Sequence, residues 1–203
     1  MFSFLFYPIQ MLQKYIFNPK HFQLGSEIEH ISFNYDKQYV IKTFKMDKID
    51  KMNKAIQFSK IFRNVDFFPK LLNYNISNRI LQQEYVGVLV NIKYNLPVDW
   101  IQQLYNIKNF LIRVGYHPGD LDIWDLNPYI VNNLCVKNDK LYLIDFGDFK
   151  KDTSENINTF FEDLEEKIIW NQKQFLIILI FYHIYVLIGK LFNSLRKRCK
   201  RLL

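Results

Sequence analysis

The segment 140–149, KLYLIDFGDF, constrains the fold more than any other stretch. Lys140 to Ile144 alternate as a half-buried strand does, and Asp145, Phe146 and Gly147 come directly after. A carboxylate at the tip of a buried strand is costly unless it holds something, most often a cation. The chain therefore needs a sheet whose strand ends open on a polar site, and enough other structure to bury that sheet. Its 203 residues allow one domain with a real core or two small lobes. Apolar residues make up 49% and aromatics 17%, which excludes a disordered polymer.

The other elements are read from periodicity and punctuation. EIEHISF, the turn NYDK and QYVIKTFK (27–45) predict a β-hairpin. Ile49, Met52, Ile56, Ser59 and Phe62 trace one face of a helix over 47–62, with Asp47 as its N-cap. RILQQEYVGVLV (79–90) reads as a buried strand leaving into a connector at Gly87. A long helix is expected between Pro97 and Gly115, the glycine closing it as a C′ residue. A loop with Pro118, Gly119 and Pro128 comes next, then the short strand LCV, the turn KNDK and the strand LYLI. Helices over about 156–170 and 174–198 complete the chain. Strands first and helices last predict an α+β class, a small β-rich lobe joined to a helical one.

The net charge of +7 is concentrated at one end. Lys190, Arg196, Lys197, Arg198, Lys200 and Arg201 lie in the last fourteen positions without an acid among them. Without these six of the 27 basic residues, 21 remain against 20 acids. A basic tail suits an anionic membrane surface, and nothing selects a specific nucleic acid. The run 175–189 is apolar but for His183, and at 1.5 Å per residue it covers roughly 22 Å. It is expected to be the central core helix of the second lobe, with a membrane-seated helix as the alternative. The start, 1–20, reads as an amphipathic helix interrupted by Pro8, without a charged leader or a small-residue cleavage site. Cys135 and Cys199 have no metal-type spacing and fit a reducing, cytoplasmic setting, peripheral at a membrane if the tail binds one.

Four pieces, in order, resemble the protein-kinase-like superfamily. YVIK (39–42) resembles the strand whose lysine meets the nucleotide phosphates, here Lys42. QEYVG (83–87) resembles the hinge, with backbone groups around Glu84 and Val86 against the adenine. NNLCV (132–136) resembles the end of the catalytic loop, with Asn133 as a metal ligand. IDFG (144–147) resembles the metal-binding triplet, with Asp145 on Mg²⁺. The resemblance implies a two-lobed protein-kinase-like fold using ATP and Mg²⁺. It places the first lobe and hinge at 21–90, the second lobe at 91–189 and a basic tail at 190–203. It also implies a catalytic base, and two positions compete. Asp125 precedes Asn133 by eight residues and Asp120 by thirteen, where the family has five. The shorter insertion favours Asp125. His117 could take a structural place beside Asp120, and Asp163 could brace the loop from the next helix.

Departures from the family shape the functional expectation. Gly25 and Ser26 stand where a glycine-rich phosphate loop is expected. No Glu occurs between Glu29 and Glu84, so the helix after Lys42 offers only Asp47 and Asp50. No A-P-E comes after the metal triplet, which leaves little surface for docking a peptide. The expected activity is phosphoryl transfer from ATP to a hydroxyl of a sugar, glycolipid or other small molecule. A protein serine/threonine kinase and a pseudokinase acting as a binding module are the alternatives. In size, short post-triplet segment and basic terminal helix the chain is similar to the small lipopolysaccharide-core sugar kinases, a resemblance of composition and not of motifs.

Overall fold

The computed structural model describes residues 27–123 and 127–199, with side chains to Lys190. The expectations for 1–20, Gly25, Ser26, Asp125, Lys200 and Arg201 fall outside the described residues.

The predicted hairpin is present: β1 (Ile28–Asn34) pairs antiparallel with β2 (Tyr39–Phe44) around a turn at Tyr35–Gln38. β2 also pairs with β4 (Ile80–Glu84), and β4 with β3 (Leu71–Asn75), giving the strand order β1-β2-β4-β3. Ile31 and Leu81 flank Lys42 across the two ladders, so Lys42 points to the sheet face that carries the core. Helix α1 (Ile49–Ile61) comes after β2 and buries Met52, Ala55, Ile56, Phe58 and Ser59. Asp47 does not cap it: the N-cap is Lys48, without a side-chain cap bond, and Asp47 lies in a 3₁₀ turn, 3.2 Å from the Lys48 ammonium.

The stretch 79–90 is two strands, not one. β4 belongs to the first sheet, while β5 (Val88–Asn91) joins β7 (Ile130–Lys137) and β8 (Lys140–Leu143) in a second. Gly87 makes the crossing with φ +93°, and a Cβ there would lie 1.9 Å from the Val136 carbonyl oxygen. Helix α2 (Trp100–Val114) buries Trp100, Leu104, Ile107 and Leu111, a 3.6-period stripe, and ends at Gly115 in the left-handed region, as predicted. β7 and β8 meet at Asn138 and Asp139, both with positive φ, a turn that suits the twist of a two-residue hairpin. The short strands β6 (Tyr116–His117) and β9 (Lys150–Lys151) pair beside the catalytic-looking loop.

The two expected C-terminal helices are one, α3 (Ser154–Cys199). Asn171, Gln172 and Lys173 are polar, but none breaks a helix, so the ladder runs through. Thr153 accepts from the Asn156 N–H at 3.2 Å and starts the helix. Ile157, Phe161, Leu164 and Ile168 are buried against the body. The helix then leaves it. From Leu176 to Ile188 its large apolar side chains, Val186 excepted, are 40–74% exposed, so this run is not the core helix expected from its composition. Among the described residues, its last aromatic contact with the body is Phe175, near Tyr129 and the Lys93 ammonium.

Candidate active site

A cluster of aromatic rings fixes the site from beneath. Phe146 is fully buried, edge-on to Phe68 at 5.2 Å and to Phe149 at 5.4 Å between centroids. Phe58 of α1 and Phe62, just past its end, join the same cluster through Phe149 and Phe68. With Phe146 held inward, the backbone turns Asp145 the other way, at φ +64°, and its carboxylate oxygen accepts from the Gly147 N–H at 3.4 Å. Asn133 also has a positive φ, +55°. Two non-glycine residues in the left-handed region at one place are a conformational cost that functional sites commonly carry.

Hydrogen bonds then join segments remote in sequence. The Ile144 N–H donates to the Asn133 carbonyl at 2.9 Å, setting Asn133 beside the strand end that carries Asp145. The Asn133 amide nitrogen donates to the Asp120 carbonyl at 2.7 Å. Asp120 thereby enters the site although it lies thirteen residues upstream. Burial pushes its carboxyl above the usual range; the Asp148 and Asp145 charges add to this, while Lys51 and the Asn133 amide oppose it. His117 shapes this loop: its Nδ1 accepts from the Gly119 N–H at 2.9 Å and its ring lies against Phe160 at 4.3 Å. Burial, then the nearby Lys150 charge, lowers its pKa, which suits a neutral, accepting ring. Gly119, at φ +75°, packs so closely that a Cβ would lie 2.5 Å from the Asp148 carbonyl oxygen. Asp163 is exposed on α3; the brace from that helix is Lys167, 2.9 Å from Asp122.

Lys42 lies on the core-facing side of the first sheet, close enough for its charge to favour ionisation of Cys135, two residues beyond Asn133. Burial outweighs that effect and pushes the Cys135 thiol up to about 12, so it is an inert core group. Glu84 and Val86 flank the connector between the two sheets, with Val86 buried and the Glu84 carboxylate accepting from the Lys70 N–H at 3.3 Å. Tyr85 between them is tied at both ends: its N–H donates to the Gln38 carbonyl at 2.9 Å and its carbonyl accepts from the Lys137 ammonium at 2.7 Å.

Lys51 is not singled out by its sequence pattern. It projects from α1 to the Glu27 carboxylate and to Asp148, the latter at 2.7 Å. Its Cβ lies 3.5 Å from where a Gly147 Cβ would stand. The sequence carries part of the signal: the helix lacks a Glu, and a lysine at its start faces the triplet instead.

The donor set fits Mg²⁺ without preassembling its site. Among the described residues no group of three or more His, Cys, Asp or Glu side chains could hold a metal. Asp145 supplies a carboxylate, and Asn133, with its nitrogen committed to Asp120, retains an amide oxygen. Mg²⁺ commonly takes one or two protein oxygens and completes its shell with water and phosphate.

No family model matches the chain, and no curated protein does. Among solved structures it is similar in part to the kinase PK-1 of Cydia pomonella granulovirus, with a TM-score of 0.42 and 18% sequence identity over 56% of this chain. The match takes in 45% of that kinase's chain, so this chain spans under half of it. The likeness is partial and concerns fold alone.

Proposed function

We propose that the chain is an ATP- and Mg²⁺-dependent phosphotransferase acting on a hydroxyl of a sugar, glycolipid or other small molecule. The observation that supports it most is Asn133, whose side-chain amide donates to the Asp120 carbonyl and whose own backbone carbonyl accepts from the Ile144 N–H, next to Asp145. Asp120 would orient the acceptor hydroxyl and take its proton, and its raised pKa would make it a better base than an ordinary carboxylate. Asp145 and Asn133 would hold the metal, which supplies charge neutralisation for the phosphates. Lys42 would steady the phosphates, and the connector at Glu84–Val86 would meet the adenine. As the acceptor oxygen bonds to the γ-phosphorus, the bond to the β–γ bridging oxygen breaks and ADP departs.

The acceptor class rests on the shortness of the segment after the triplet. Only residues 148–153 separate Gly147 from α3, which leaves no long segment to dock a polypeptide. The test is paired. Thermal melting with ATP and MgCl₂ should shift upward, by about 2.7 kcal/mol of added stability at a hundredfold excess over Kd. Asp145→Ala should lose the Mg²⁺-dependent shift and phosphate transfer to a glycan library together; retention of both sinks the assignment. One observation favours a second reading, a nucleotide-free pseudokinase: the Lys51 ammonium of α1 is already engaged beside Gly147 in two ion pairs, with Glu27 and Asp148. No melting shift with any nucleotide would support it.

A further inference from the structure

We propose that residues 175–189 of α3 insert into the hydrocarbon of an anionic lipid bilayer, with the basic residues beyond them seated on its headgroups. Composition and burial disagree in this segment, whatever chemistry the cleft performs. An all-round apolar helix is stable either inside a protein or inside a membrane. Here none of the 18-residue apolar window is buried, and the helix is long and apolar enough to cross a membrane. Exposure is not confined to one face: the successive residues Ile177, Ile178, Leu179, Ile180, Phe181 and Tyr182 are all exposed, and positions that follow one another along a helix surround its axis.

Three features select the occupant. A second copy of the helix would cover one stripe and leave the opposite side of an all-round apolar surface wet. A bilayer covers every side. The charges make the same choice. Lys190 ends the run, and Arg196, Lys197, Arg198, Lys200 and Arg201 come after it without an acid. Two such tails side by side repel, whereas phosphatidylserine headgroups attract them. Finally, the one histidine of the run has a partner. The His183 ring Nδ1 lies 2.9 Å from the Leu179 carbonyl and so finds its partner within the helix. The run spans roughly 22 Å against a hydrocarbon thickness of about 30 Å, a shortfall that Lys190 meets by extending its stem toward the headgroups. At the other end, Trp170 is 62% exposed, an aromatic of the type enriched at the lipid–water boundary.

The full chain should float with phosphatidylcholine–phosphatidylserine vesicles on a density gradient and float less with phosphatidylcholine alone. Flotation distinguishes lipid binding from aggregation, which pellets. Phe181→Asp with Ile184→Asp should reduce partitioning by about a hundredfold or more, since each places a charge among the acyl chains. Both positions are exposed, so the circular dichroism of the variant should match the parent. Replacing Arg196, Lys197 and Arg198 with Gln should remove the preference for phosphatidylserine while leaving part of the binding. The proposal is overturned if the parent chain stays at the bottom of the gradient with both vesicle types. It is equally overturned if the double Asp variant floats as well as the parent, or if light scattering shows a stable dimer that the variant abolishes while neither protein floats.

Discussion

Lys51→Met is the most informative single change, because it removes the one ammonium that pairs with both Glu27 and Asp148, acids far apart in the chain. The Glu27 side chain is only 10% exposed, while those of Lys51 and Asp148 are 33% and 38% exposed. Stripping the partner from a buried acid costs about 3–5 kcal/mol. Losing an exposed pair costs about 0–1 kcal/mol. Glu27 belongs to the first case, and Asp148 with the half-wet ammonium lies closer to the second. The variant should therefore lose about 2–3 kcal/mol, and methionine keeps the stem packing, so the loss is electrostatic. For a chain of this size that is a Tm decrease of about 5–10 °C. Differential scanning calorimetry measures it, with Glu27→Gln/Lys51→Met as the control. Removing both charges should restore most of the loss, because the acid left without its partner, Asp148, is 38% exposed and not buried. A decrease under about 1 °C, or a double variant no better than the single, would refute the reasoning.

The proposed base and the inter-sheet crossing give two further tests. Asp120→Asn should cut phosphate transfer by about 10²–10⁴-fold while raising the melting temperature at neutral pH. The sign comes from the raised pKa. A carboxyl whose folded pKa exceeds its unfolded value contributes stability below the unfolded value of about 3.8 and loses it as pH rises through the folded one. The parent should thus lose stability over that window relative to Asp120→Asn, and parallel pH profiles would count against the burial argument. Gly87→Ala should cost more than about 2 kcal/mol by urea denaturation, from a positive φ and a Cβ driven into the Val136 carbonyl. An effect within about 0.5 kcal/mol would mean that the two sheets tolerate separation at this point.

Features decided by local chemistry are legible in the sequence. The hairpin over 27–45, the C′ glycine at 115 and the Asn138–Asp139 turn depend on neighbouring residues and are read directly from them. The convergence of Asn133 with Asp145 is legible as well, because a tight hairpin joins their strands. Asp120 is harder. Counting back from Asn133 disfavours the longer insertion, yet loop closure becomes only slowly more costly with length, and the chain returns Asp120 to Asn133. Lys51 escapes a sequence reading because its partners, Glu27 and Asp148, are 24 and 97 residues away. The fate of 175–189 is hidden for a different reason. Hydropathy reports that a helix avoids water and does not say which apolar medium it will find.

The unbroken course of α3 has a mechanical consequence. Forty-six residues at 1.5 Å each make a strut of about 69 Å with no proline or joint between its packed and projecting halves. Any tilt imposed on the far half is inherited by the near half, and through Ile157, Phe161, Leu164 and Ile168 by the domain it anchors. The direction in which the Asn133–Asp145 site faces is therefore not free to wander on a tether; it is tied to the direction of the strut.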